Sequence, residues 1–239
     1  MLARSSVWQP LRRAADVLDR APVAYTCVVR PRRKTNREIE IKLRITGTGL
    51  ILRRIRALGA ASQGRVLEQN TLYDTPGSDL RRRGMLLRLR IETPAPQNKP
   101  ARGRERVILT AKAPPALGER HGARARKPPR YKERAERELV SATASRQWVA
   151  ALTSLGFRPA FRYDKYRTTF RLPALHLDLD ETPVGVFLEL EGSPRAIDRA
   201  ARALGFTATA YLRVTYWDLY AAECRRRGVR PKNMLFRAK

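Results

Sequence analysis

The chain has 239 residues, 43% of them hydrophobic, enough to bury one sizeable core, and its 50 Lys/Arg against 22 Asp/Glu give a formal charge of +28. Its two cysteines, Cys27 and Cys224, lie far apart and flank no CxxC or Cys/His cluster, which argues against a disulfide framework and against a zinc site. No apolar run approaches the ~18 residues of a membrane helix and no signal-peptide core is seen, so the sequence reads as a soluble, cytoplasmic protein without membrane partners.

A charge of +28 points to nucleic acid or another polyanion. Its distribution weakens that reading. Residues 1–36 carry eight Lys/Arg against two Asp, residues 93–132 carry eleven against two Glu, and residues 225–239 carry seven against none. The rest of the chain is only modestly basic.

Residues 1–36, with Pro10, Pro22, Pro31 and the basic run Arg30 to Lys34, read as a disordered basic extension whose composition also resembles a transit peptide. From Glu38 the pattern turns to period two. Ile39, Ile41, Leu43 and Ile45 fall on one face, and Glu38, Glu40, Lys42 and Arg44 on the other, which predicts a strand with a charged face. A helix over 49–58 ended by Gly59 follows, then a strand over 66–73, a turn at Asp74-Thr-Pro-Gly77 and a short basic helix over 78–83. The next strands are predicted over 85–92, 104–113 and 132–140, separated by the Pro/Arg-rich loops 93–103 and 114–131. A helix over 143–155 carries Trp148, Ala151, Leu152 and Leu155 at core spacing, with Gly156 as its C-cap. Strands over 161–171, 175–182 and 186–191 and helices over 194–204 and 214–226 complete the body.

The charged faces of these strands hold ordered pairs at i and i+2. They are Glu38/Glu40 followed by Lys42, Arg88/Arg90, Glu136/Glu138, Lys165/Arg167, Asp178/Asp180 and Glu189/Glu191. Like charges stacked this way repel, and desolvation raises the cost. Hard carboxylate oxygens suit a divalent cation, and the planar fork of Arg suits phosphate. Together the two sets describe a lumen for a metal-bound polyphosphate. His121 and His176 lack a catalytic partner and read as surface or strand-filling residues, while Trp8, Trp148 and Trp217 read as packing.

Glu38-Ile-Glu40-Ile-Lys42 resembles the opening ExExK signature of the CYTH (triphosphate tunnel metalloenzyme) family, which includes class IV adenylate cyclase and thiamine triphosphatase. Further resemblance lies in Asn70-Thr-Leu-Tyr73-Asp74-Thr-Pro, Leu87-Arg88-Leu-Arg90, Leu109-Thr-Ala-Lys112, Glu136-Arg-Glu138, Lys165-Tyr-Arg167, Leu179-Asp180-Glu181 and Phe187-Leu-Glu189-Leu-Glu191, in order from Glu38 to about Tyr220. The resemblance implies an α+β fold: a closed eight-stranded antiparallel β-barrel with flanking helices, occupying residues 37–222 and followed by a basic tail over 223–239. It implies Mg²⁺ or Mn²⁺ on Glu38, Glu40, Glu189 and Glu191, and a triphosphate clamped by Lys42, Arg88, Arg90, Lys112, Lys165 and Arg167. Glu38, Glu40 and Lys42 are then the catalytic group, and Glu136, Glu138 and Asp180 are supporting lumen acids.

The function expected is metal-dependent hydrolysis of inorganic or small organic triphosphate, such as ATP or thiamine triphosphate. A cyclase-like conversion of ATP to cyclic AMP and pyrophosphate is the alternative within enzymes. A non-catalytic module holding polyphosphate or RNA through the basic loops ranks third, because a binder has no need of so many lumen carboxylates.

Overall fold

The computed structural model describes residues 37–95, 105–114, 130–141 and 143–237. The expected extension 1–36, most of the two basic loops, and Trp8, Cys27 and His121 lie outside the described residues.

Alternation of apolar and charged residues sets the architecture, because it gives each strand one face to bury against helices and one to keep polar. The elements run β1 (Arg37–Ile45), α1 (Thr48–Ala57), β2 (Ala61–Asp74), α2 (Asp79–Arg82), β3 (Leu86–Pro94), β4 (Arg106–Ala113) and β5 (Lys132–Ser141). They continue with α3 (Ser145–Ser154), β6 (Arg158–Leu172), β7 (Leu175–Thr182), β8 (Gly185–Gly192), α4 (Pro194–Ala203), a 3₁₀ turn (Ala208–Ala210) and α5 (Tyr216–Arg226). All eight strands pair antiparallel and close in the order β1-β5-β4-β3-β2-β6-β7-β8. Closure leaves no open sheet edge. The fold is the α+β barrel expected from the sequence.

The apolar faces point outward. Ile41 and Leu43 of β1, Leu177 and Leu179 of β7, and Leu188 and Leu190 of β8 pack against Ile51 and Ile55 of α1 and Ile197, Ala201 and Leu204 of α4. A second cluster, Tyr73, Leu87, Leu89, Val107, Leu152 and Phe157, lies beneath α3, with Trp148 packed against it. The charged faces are thereby turned into the lumen. At Gly185, which begins β8 after a tight turn from Thr182, φ is +128°, a conformation open to glycine alone at low cost.

Two stretches depart from the sequence expectation. Ala61–Arg65 shows no alternation, yet it extends β2 by pairing with Thr168–Arg171 of β6 through a bulge between Ser62 and Gly64. Pairing with a distant strand overrides weak local pattern there. At the carboxyl end, the boundary drawn at residue 223 falls inside α5, and the segment beyond it is packed. Met234 is 1% exposed and forms a parallel bridge to Tyr163. Its N–H donates to the Arg162 carbonyl at 2.9 Å, and its carbonyl accepts from the Asp164 N–H at 3.0 Å. Basic composition concealed the insertion of Met234.

Candidate functional site

The barrel encloses a cavity of about 660 Å³ whose wall holds eleven carboxylates and eleven Lys or Arg side chains. Period two places Glu38, Glu40 and Lys42 of β1 in this lumen, and antiparallel register sets Glu40 opposite Glu191 and Lys42 opposite Glu189 of β8. From the other strands come Arg88 and Arg90 of β3, Lys112 of β4, Glu136 and Glu138 of β5, and Lys165 and Arg167 of β6.

These groups are cross-paired rather than grouped by sign. Lys42 Nζ lies 2.9 Å from Glu189 and 3.4 Å from Glu40. Lys112 Nζ lies 2.6 Å from Glu38 and 3.3 Å from Glu136. Arg167 bridges Asp178, Asp180 and Glu189 at 2.9, 2.6 and 2.5 Å. Arg88 sits 3.6 Å from Glu138 and donates to Thr110 at 3.1 Å, while its Nε is buried with no hydrogen-bond partner among the described residues. Asp180 is wholly buried and accepts from Lys165 at 2.8 Å. It also accepts from Arg167 at 2.7 and 2.6 Å.

Local charge outweighs desolvation at most of these positions. Burial acts to raise the Glu40 carboxyl, but Lys42 and Lys132 overcome it and hold the group well below the usual carboxylate range. Glu189 is held low in the same way by Lys42 and Arg167. For Lys42, burial acts downward and Glu189 and Glu40 win, so the ammonium stays charged. The Glu40–Lys132 pair is not symmetric: Lys132 is lowered, because burial and repulsion from Lys42 exceed what Glu40 returns at 2.5 Å. Glu136 behaves differently. Burial pushes it up to about 7, with Lys112 opposing and Glu38 and Glu138 adding to the rise.

Sequence reasoning missed several lumen residues. Glu68 of β2 is fully buried, 3.2 Å from Arg90, 3.3 Å from Lys165 and 3.5 Å from Arg167. Its phase with Asn70, whose side-chain oxygen accepts from Arg90 Nε at 3.3 Å, was the readable signal. Lys132 likewise shares the phase of Glu136 and Glu138. Tyr163 shares the phase of Lys165 and Arg167, whereas Tyr216 carries no such mark; the Tyr163 hydroxyl lies 3.4 Å from Arg88 Nη1, and the Tyr216 hydroxyl donates to Asp180 at 2.6 Å. Trp217, read as packing, belongs to an aromatic cluster but also lines the cavity. His176 faces Glu191 across β7 and β8, with Nε2 3.0 Å from Arg171 Nη1.

The four carboxylates expected to hold metal are thus brought to two adjacent strands. Among the described residues no three metal-ligating side chains converge at binding distance, since Glu38, Glu40 and Glu189 are each engaged by Lys or Arg. The donor set fits a hard divalent cation: all four groups present carboxylate oxygens, and Glu40 and Glu191 are direct register partners.

The profile of the CYTH domain family matches residues 36–207. The chain belongs to the CYTH domain family. Among solved structures, this CYTH protein is similar to the PH1819 protein of Pyrococcus horikoshii OT3 at 22% identity, covering 78% of this chain and 99% of that one with a TM-score of 0.61. A provisionally assigned adenylate cyclase from Vibrio parahaemolyticus is 18% identical, covers 78% of this chain and 98% of its own, and has the same TM-score of 0.61. The PH1012 protein of P. horikoshii OT3 follows at 22% identity, 76% and 98% coverage and a TM-score of 0.56. These likenesses are of fold. No curated protein matches the chain. No helix among the described residues is long and apolar enough to cross a membrane.

Proposed function

We propose that this CYTH domain binds a triphosphate in its tunnel and hydrolyses it with the help of a divalent cation. The observation that carries the reading is the set of buried and half-buried cations, Lys42, Arg88, Arg90, Lys112, Lys165 and Arg167, lining one cavity in the closed barrel. A chain of three phosphates presents anionic oxygens along its whole length. Such a ligand can engage several strands at once, whereas a single phosphate cannot.

The equal number of carboxylates and cations on the wall supports participation of metal. A polyanion entering a balanced lumen brings excess negative charge that the protein alone does not offset. Glu38, Glu40, Glu189 and Glu191 would hold Mg²⁺ or Mn²⁺, which when bound supplies that countercharge and polarises phosphoryl oxygens.

The chain's own residues do the rest. Lys42, Lys112 and Arg167 exchange a carboxylate partner for a phosphate oxygen, so binding costs little new desolvation. Arg88 offers its unpartnered Nε as well as its terminal nitrogens, which suits two-point contact with phosphate. Glu136, with its carboxyl pushed up to about 7, is the lumen group suited to take a proton from an attacking water near neutral pH. Positioning and charge neutralisation supply most of the rate in phosphoryl transfer.

The test is to incubate purified protein with inorganic triphosphate and, separately, with ATP, each with Mg²⁺ or Mn²⁺, and to identify the products. Metal-dependent release of orthophosphate is expected. Cyclic AMP with pyrophosphate from ATP would replace hydrolysis with cyclisation, and binding without turnover would reduce the protein to a polyphosphate-holding module.

A further inference from the structure

Tyr216 reaches the lumen cations from a helix rather than from a barrel strand, and with an uncharged side chain. It is the first residue of α5, where Thr215 and Asp218 form a reciprocal capping box that fixes the backbone at the point of entry. From there the side chain enters the barrel and is 7% exposed. Its ring packs edge-on against Phe187 at 5.8 Å and beside Tyr163 at 5.9 Å, both on the lumen faces of their strands.

Three ionic groups of the cage meet on this one side chain. Lys42 Nζ lies 5.1 Å and Lys165 Nζ 5.0 Å from the ring centroid, and the hydroxyl donates to Asp180 Oδ2 at 2.6 Å. The negative ring face attracts both ammonium groups and offsets part of their mutual repulsion. The hydroxyl bond withdraws charge from a carboxylate that also accepts from Lys165 and Arg167. Burial together with Asp180 and Glu189 keeps the phenol proton in place, so this donor does not switch off in the neutral range.

We propose that Tyr216 is a positioning residue that sets the grip of the tunnel on phosphate, holding Lys42 and Lys165 apart on its ring while its hydroxyl weakens the competition of Asp180 for Lys165 and Arg167. This inference rests on the triphosphate reading given above. Without the hydroxyl, Asp180 keeps more of its charge and draws both cations away from an incoming phosphate. Without the ring, the two ammonium groups lose the surface against which they are aimed. The effect falls on ligand binding rather than on the chemical step, because Tyr216 acts through residues that hold phosphate.

The experiment uses the full chain with Tyr216→Phe, which keeps the ring, and Tyr216→Leu, which removes it. Binding of inorganic triphosphate is followed by calorimetry in the presence of EDTA, turnover is measured with metal, and thermal melting is recorded for each protein. Tyr216→Phe is expected to raise Kd and KM by about tenfold, the scale of one hydrogen bond to a charged group, with kcat within about threefold of wild type. Tyr216→Leu is expected to raise them by roughly a further tenfold. Should Tyr216→Leu fail to fold, the Phe variant carries the comparison alone. Wild type that binds triphosphate while Tyr216→Phe binds equally well, or a loss confined to kcat, overturns the role assigned to Tyr216 and leaves the triphosphate reading standing. Wild type that binds no triphosphate with or without metal overturns both.

Discussion

Glu68 of β2 and Lys165 of β6 are register partners whose charged atoms lie 3.3 Å apart, both almost fully removed from solvent. Glu68 is also the countercharge for Arg90 and Arg167, and together they hold its carboxyl well below the usual range against the upward push of burial. Replacing it leaves three buried cations short of one negative charge. Glu68→Gln is expected to cost about 3–5 kcal/mol in urea unfolding, the scale for breaking a buried pair. Added inorganic triphosphate is expected to stabilise the variant more than wild type, because the ligand replaces the missing charge. Equal stabilisation of both would separate Glu68 from the phosphate site.

Glu136 makes stability depend on pH. Its folded pKa of about 7 lies above the ordinary 4.5, so between those values the folded chain keeps a proton that the unfolded chain has released. Stability from this group is therefore fully present below about pH 4.5 and is lost as pH rises through 7. Glu136→Gln stays neutral throughout. Metal-free urea unfolding should show the variant close to wild type at pH 5 and more stable by about 3 kcal/mol at pH 8. A difference that does not change with pH would show that Glu136 ionises as an ordinary carboxyl.

The four carboxylates assigned to metal should not behave alike. Glu189 is tied to the lumen cations Lys42 and Arg167, whereas Glu40 is held chiefly by Lys132 and stands opposite Glu191 at the β1–β8 seam. Glu40→Gln and Glu191→Gln are expected to reduce metal-dependent turnover by about 100-fold while metal-free triphosphate binding is retained. Glu189→Gln is expected to strengthen that metal-free binding, since it frees two lumen cations from a competing carboxylate. Calorimetry with and without metal distinguishes the two patterns, and identical changes in all three variants would remove the distinction.

Met234 tests whether the carboxyl-terminal segment is part of the fold. Its side chain is buried with Phe161, Tyr163, Phe187 and Tyr216, so Met234→Ala should lower stability by about 2–4 kcal/mol. A thermal melt unchanged from wild type would place the segment outside the cooperative unit.

Much of the architecture was written in local pattern. Ile41 and Leu43 alternating with Glu40 and Lys42 specify a strand with two unlike faces, and the strand repeats this theme through β8. The same period puts Arg88, Arg90, Glu136, Glu138, Lys165 and Arg167 on lumen faces once the barrel closes, because a side chain's face is fixed by parity along its own strand. The family resemblance added the closure of these strands into an eight-stranded antiparallel barrel, and the structure supplied their order.

Parity says nothing about who meets whom. The sequence suggested that like-charged neighbours within a strand would wait for a metal or an anion, whereas closure places Lys112 against Glu38, and Arg167 among Asp178, Asp180 and Glu189. Those partners are 74 residues apart in the first case. Only register and barrel stagger could bring them to bonding distance. The same holds for Glu68, whose three cations come from β3 and β6, and for Tyr216 and Met234, which reach the barrel from outside the strand pattern. The sequence by itself determined which face of each strand is charged, since that depends on alternation alone. Tertiary structure decided the pairing of those charges, since Coulomb energy depends on distances across strands that no local spacing encodes.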